Sequence, residues 1–297
     1  MKKLAISPLI DHPLDLSLFE VVVCAGGGNR CWWQAGLLSA RSEHGLRPPS
    51  TLVGASAGAA IATAWATQSI DRAIESCKQL YSNNSRVFRW RPKPGETRFA
   101  QALIYPEWIR SVLDNAGFNR LSGLSTRLSI AVTRPSQWLG AYLSIGLATL
   151  FYIADKARGG KLHPTQLAHL GLSHEFFELQ ESKSLSTAQN VLVAAAAAPP
   201  FIPGQVLDDN KAYDGGYLDS MPINPQLMAQ KTLVLMTRHR PDLPTTFNYD
   251  GRTYWQPSLP VPVSTWDCTS SATVDAAFRL GQTDAMSALN CASIRVT

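Results

Sequence analysis

The sequence predicts an α/β protein, and three stretches carry that prediction. The first is Phe19-Glu20-Val21-Val22-Val23-Cys24-Ala25, β-branched and mostly apolar, which has the pattern of a buried strand and runs into Gly26-Gly27-Gly28-Asn29-Arg30. A helix follows over residues 31–41, with Trp32, Trp33, Leu37 and Leu38 as its apolar members. The second is Thr51-Leu52-Val53, which passes through Gly54-Ala55-Ser56-Ala57-Gly58 into a helix-forming run over residues 59–66. The third is Lys231-Thr232-Leu233-Val234-Leu235-Met236-Thr237, again of buried-strand type. A chain of 297 residues is long enough for one large α/β domain or two small ones, and 45% hydrophobic residues supply an ample core.

The remaining elements follow in order. Residues 1–18 read as an irregular lead-in. Helical spacing of Ile70, Ile74, Cys77, Leu80 and Tyr81 predicts a helix over residues 70–81. Residues 83–98 are irregular and basic, with Phe88 and Trp90 alternating with Arg86, Arg89 and Arg91; they form either a surface flap that touches lipid headgroups or a solvated loop. Residues 106–116 read as a helix with Pro106 in its first turn. Residues 127–133 alternate with period two and end before Pro135, which predicts a strand. Residues 163–183 read as short helices and turns, and residues 186–198 as a helix carrying five consecutive alanines, stopped by Pro199-Pro200. Alanine side chains allow close packing, which places this helix tight against the Ser56 turn. Residues 241–265, rich in proline, read as an irregular surface segment, and residues 270–289 as a last helix with Ser270 as candidate cap.

Charge and cysteine content narrow the function classes. Twenty-seven basic against 22 acidic residues leave a net charge of +5, which favours anionic surfaces such as phospholipid headgroups. No dense basic stripe interleaved with aromatics is present, which argues against nucleic acid as a partner. The five cysteines lack C-x-x-C spacing, so a structural zinc is not expected, and neither metal nor cofactor is called for. The start Met1-Lys2-Lys3 is basic, but Asp11, His12, Pro13 and Asp15 interrupt any signal core, so the expected location is the cytoplasm, with peripheral contact at the membrane. From Pro135 to Ala154 no charged residue occurs; the segment reads as a buried or interfacial helix, with a bilayer span as the alternative.

The chemistry centres on Ser56. Strand, tight turn and helix form the context of a nucleophile elbow, in which flanking Gly54 and Gly58 permit close approach of strand and helix. The Gly26-Gly27-Gly28 turn has the flexibility to converge backbone N–H groups on an anion. It lacks the ending of a P-loop and the spacing of a dinucleotide site. A serine hydroxyl needs a base. Asp214, in Asp214-Gly215-Gly216, is one candidate, acting directly as a Ser–Asp dyad if burial raises its pKa. His239, following the 231–237 strand, is the other, in the order Ser, Asp, His of an α/β-hydrolase triad.

Taken together, Gly26-Gly27-Gly28-Asn29-Arg30, Gly54-Ala55-Ser56-Ala57-Gly58, Ala198-Pro199-Pro200-Phe201 and Asp214-Gly215-Gly216 resemble the patatin-like phospholipase family in order and approximate spacing. The final helix, with Leu280-Gly281-Gln282-Thr283-Asp284-Ala285, is similar to the end of bacterial members. The resemblance implies a three-layer α/β/α fold around a central, mostly parallel sheet, and a single catalytic domain over residues 19–297. It implies a lipid acyl hydrolase with Ser56 as nucleophile and Asp214 as base. It also implies an oxyanion hole at Gly26, Gly27 and Gly28, with Arg30 as the family's basic residue beside it. The implied partner is a phospholipid or another acyl-ester lipid. Cys31 stands where family members usually carry glycine, a departure at the loop that shapes this hole. A catalytically weak, lipid-binding relative remains the alternative from another class.

Overall fold

A computed structural model describes residues 7–8, 16–157, 162–163 and 168–293. The expected lead-in over residues 1–18 lies largely outside the described residues, as do Arg158 and Lys161 beyond the apolar segment. The strands are β1 (Ser7–Pro8), β2 (Val21–Cys24), β3 (Thr51–Ala55), β4 (Arg127–Arg134), β5 (Ser173–Glu178), β6 (Gln205–Leu207), β7 (Asn210–Asp214), β8 (Thr232–Leu235), β9 (Thr246–Tyr249) and β10 (Arg252–Trp255). The helices are α1 (Cys31–Glu43), α2 (Ala57–Ala66), α3 (Ile70–Ser82), α4 (Gln101–Val112), α5 (Asn115–Leu121), α6 (Ala141–Ala157), α7 (Leu185–Ala195) and α8 (Val274–Ser293).

All strands join one mixed sheet in the order β1-β9-β10-β8-β2-β3-β4-β7-β6, with β5 also paired to β4. Its five central strands, β10-β8-β2-β3-β4, run parallel, and the antiparallel pairs lie toward the edges. The parallel centre explains the unbroken apolar runs, because strands covered on both faces bury every side chain. Val22, Cys24, Leu52, Leu233 and Leu235 face the larger core, shared with α1, α2, α4 and α7. Val21, Val23, Val53 and Val234 face a second core closed by Leu162, Met221 and Leu227. The sheet between helical layers agrees with the expected α/β/α architecture. Helix α8 lies directly on α1: a Cβ on Gly36 would overlap the Phe278 carbonyl, and one on Gly281 the Trp33 carbonyl.

Several expectations need correction. Residues 163–183 contain β5, antiparallel to β4, whose polar ends Ser173, His174 and Glu178 obscure its alternation. The proline-rich 241–265 stretch contains the hairpin β9–β10, turned by Asp250 and Gly251 at φ 49° and 74°. An Asp-Gly pair between strand-like runs is the usual signal for such a two-residue turn. The lead-in contributes β1, paired antiparallel to β9. Helix α4 starts five residues before Pro106, so this proline is interior rather than in the first turn. The helix also ends at Val112, and Asp114, accepting the Gly117 N–H, caps the separate α5, so the helix expected over residues 106–116 is shifted toward the N-terminus and broken before its expected end. Helix α6 begins at Ala141, and among the described residues no helix is long and apolar enough to cross a membrane.

Candidate active site

The elbow forms where β3 meets α2. Ser56 adopts φ 53°, ψ −139°, a left-handed backbone conformation unfavourable for a residue with a side chain. Its surroundings hold it there. A Cβ on Gly54 would strike the Ala59 backbone, and one on Gly58 the carbonyls of Cys24 and Ala25, so helix and sheet touch backbone to backbone.

Asp214 arrives along the same edge of β4 that β3 occupies, β5 holding the opposite edge. Ala55 is in register with Ala131, and Val132 with Asp214, so the C-terminal ends of β3 and β7 meet at adjacent positions along β4. The alanine run then sets them relative to each other. The Ser56 N–H donates to the Ala195 carbonyl and the Asp214 N–H to the Ala197 carbonyl, each at 2.9 Å. With both backbones tied to one short segment, the Ser56 Oγ donates to Asp214 Oδ2 at 2.6 Å. Asp214 Oδ1 accepts the Gly216 N–H at 2.7 Å, which gives the glycine pair of the turn a direct part in holding the carboxylate. Ser56 and Asp214 are 8% and 7% exposed, and this burial pushes the Asp214 pKa up to about 6 against the pull of its two hydrogen bonds.

Neither histidine enters this contact. His239 places Nδ1 2.9 Å from the Pro257 carbonyl. His174 donates Nε2–H to the Gly215 carbonyl at 2.9 Å and so braces the Asp214 turn; burial lowers its pKa. Nothing in the sequence distinguished His174 for this supporting place, because its partner lies across β4.

The glycine loop presents its amides unequally. Gly26 N–H donates to the Ser220 carbonyl at 2.7 Å. That amide is therefore engaged, which removes Gly26 from the expected set of anion donors. The Gly26 carbonyl accepts from Thr237 Oγ1 at 2.8 Å. The Gly27 carbonyl accepts from the Arg30 N–H at 3.2 Å and Arg30 Nε at 3.3 Å. In a trans peptide the N–H points opposite to the C=O. Pinning these two carbonyls therefore aims the N–H groups of Gly27 and Gly28 away from Thr237 and Arg30. Gly28 has φ 55°, and a Cβ there would strike the Thr265 carbonyl. Cys31, in place of the usual glycine, is fully buried with Sγ against the Ala25 carbonyl, and burial pushes its thiol pKa up, so it stays protonated and inert.

Ser56 opens on a cavity of about 40 Å³ whose apolar walls include Trp32, Ile61, Trp108 and Ile202. Phe201 stacks on Trp266 at the same cavity, with ring centroids 4.3 Å apart, and contacts Phe99, which meets Phe88 of the basic 83–98 stretch. Helix α6 packs by Ala148 against Leu172, Tyr217 and Leu218, just beyond the Asp214 turn, and leaves Tyr142, Leu143 and Leu150 exposed.

Fold and site together define an α/β protein in which an elbow serine and an aspartate from a distant strand share a buried hydrogen bond. The chain belongs to the patatin-like phospholipase family, whose model matches residues 22–226. That membership supports lipid acyl hydrolase activity in general terms. Among solved structures the chain is similar to VipD from Legionella pneumophila, at 14% identity and a TM-score of 0.46, over 92% of this chain and 67% of that one. Comparison with curated proteins yields no match.

Proposed function

We propose that the protein hydrolyses acyl-ester lipids, of phospholipase A or lysophospholipase type, through a Ser56–Asp214 dyad and an acyl-enzyme. The observation that carries this reading is the 2.6 Å contact between Ser56 Oγ and Asp214 Oδ2. With a pKa of about 6 the carboxylate is largely ionised at neutral pH yet basic enough to accept a proton. Ser56 Oγ attacks the ester carbonyl as its proton passes to Asp214. The tetrahedral oxyanion is met by the N–H groups of Gly27 and Gly28, each donor of this kind being worth about 3–4 kcal/mol in the transition state. The proton then passes from Asp214 to the departing alcohol, leaving Ser56 acylated. Water, deprotonated by Asp214, attacks the acyl-enzyme and releases the acid.

The direct contact favours the dyad over a Ser–Asp–His arrangement, which requires an imidazole between the two oxygens. It also disfavours a purely lipid-binding relative, since a pocket that only binds has no use for a strained serine held on a raised-pKa carboxylate. Exposed Trp138, Tyr142, Leu143 and Leu150, with Trp90 among the arginines of the 83–98 stretch, support peripheral contact with a lipid surface. Ser56→Ala is expected to abolish hydrolysis of p-nitrophenyl butyrate and labelling by a fluorophosphonate while the melting curve is retained. Full activity or full labelling of this variant would reject the nucleophile assignment.

A further inference from the structure

The cavity beside Ser56 carries hydrogen-bonding capacity that the hydrolytic reaction does not use. Gln101 and Tyr105 both line it, four residues apart on α4 and hence on one helix face. They are 5% and 7% exposed, yet Gln101 Oε1 and the Tyr105 hydroxyl have no hydrogen-bond partner among the described residues. Leaving two such groups unpaired is costly, on the order of 1–3 kcal/mol each.

A relay of hydrogen bonds dictates which end of the Gln101 amide is left over. Asn29 Nδ2 donates to the carbonyls of Ser264, at 3.0 Å, and Asp267, at 2.5 Å. Both amide protons of Asn29 are thereby used, and its Oδ1 can only accept, which it does from the Tyr81 hydroxyl at 2.8 Å. Tyr81 has then spent its one proton, so its oxygen must accept, and the group it meets is Gln101 Nε2 at 3.4 Å. Rotating the Gln101 amide would set oxygen against oxygen. Its acceptor is therefore turned away from Tyr81 and is left, like the hydroxyl of Tyr105, as an unpartnered group on a residue that lines the cavity. An acceptor next to a hydroxyl that can donate complements an alcohol, which donates one hydrogen bond and accepts another.

We propose that Gln101 and Tyr105 form a subsite for a hydroxyl carried by the substrate, placed either on its acyl group or on its alcohol. The proposal rests on the hydrolase reading of Ser56. The cavity of about 40 Å³ is small beside the roughly 150 Å³ that holds a benzene ring, so it takes up the hydroxyl-bearing portion of the substrate and not a whole acyl chain. A site built to bond a hydroxyl discriminates against the analogue that lacks it, because its own polar groups are then stranded.

The test compares kcat/KM in two arms. One uses ethyl butyrate and ethyl hexanoate against their α-, β- and ω-hydroxy derivatives; the other uses glyceryl monobutyrate against propyl butyrate. We expect the wild type to favour the hydroxylated member about tenfold or more in one arm, which also identifies the source of the hydroxyl. Tyr105→Phe, which removes only an unpartnered oxygen, and Gln101→Leu should each collapse that ratio. Hydrolysis with no preference in either arm, or a preference unchanged in Tyr105→Phe, overturns the subsite and leaves the hydrolase intact. If no ester is cleaved, the hydrolase reading fails, and the subsite is then judged by thermal shift. Glycerol or β-hydroxybutyrate should raise the melting temperature of wild type more than of Tyr105→Phe, and equal shifts overturn it.

Discussion

Replacing Asp214 by Asn separates what the carboxylate contributes to the reaction from what it costs the fold. Burial raises its pKa from an ordinary 3.8 to about 6. The folded chain therefore binds this proton more tightly than the unfolded chain, and stability falls as pH rises from 3.8 to about 6. At about 1.4 kcal/mol per pH unit, the loss above that window is about 3 kcal/mol. Asn preserves the shape of the contact: its oxygen can accept the Gly216 N–H and its NH₂ can donate to Ser56 Oγ. Above pH 6 Asp214→Asn should thus be more stable than wild type by up to about 3 kcal/mol, or about 5 °C in Tm for a chain of this size. The gain should vanish only below about pH 3, where the wild type carries the proton both folded and unfolded. Ester hydrolysis should fall on the order of 10³-fold, since Asn cannot take up the Ser56 proton. Wild-type kcat/KM should itself rise through pH 6 to a plateau. Calorimetry and initial rates on both proteins across this pH range test the two halves separately. A variant less stable than wild type at neutral pH refutes the burial argument, and retained hydrolysis refutes the role as base.

Three further outcomes are expected. His239→Ala should leave kcat/KM within about twofold, because its ring meets the Pro257 carbonyl and not the dyad; a loss comparable to that of Ser56→Ala would restore the triad. Thr237→Val removes the donor that pins the Gly26 carbonyl, so kcat should drop roughly tenfold at unchanged KM, with recovery in Thr237→Ser; a change confined to KM would show that the threonine does not orient the Gly27 amide. Substituting Tyr142 and Leu143 together by Ser should reduce sedimentation with anionic vesicles several-fold, and unaltered sedimentation would remove α6 from the lipid-contacting surface.

Much of the fold could be read because its centre is parallel and buried. β2, β3 and β8 are written as continuous apolar runs, and two of them end in glycines that local sterics require. The sheet edges were hidden for the opposite reason. β5 and β9 are only partly covered, so their sequences mix polar and apolar residues, and the prolines around β9–β10 outweighed the Asp250-Gly251 turn signal. Within the site, the elbow and the Asp-Gly-Gly turn announced themselves by residue type. Thr237, His174, Gln101 and Tyr105 did not, since each is an ordinary member of a strand or helix until its partner is known.

The residue types that can do the chemistry, and the strand–turn–helix frames that carry them, are properties of local sequence, because glycine and β-branched residues constrain their own backbone wherever they occur. Which groups meet is another matter. Ser56 and Asp214 are 158 residues apart, and no local preference brings them together. Their contact depends on the register of β3, β4 and β7 and on the two carbonyls of Ala195 and Ala197. The same holds for the amides of the glycine loop: all three glycines could present an N–H, and only the packing of Ser220, Thr237 and Arg30 around them decides which two are left to do so.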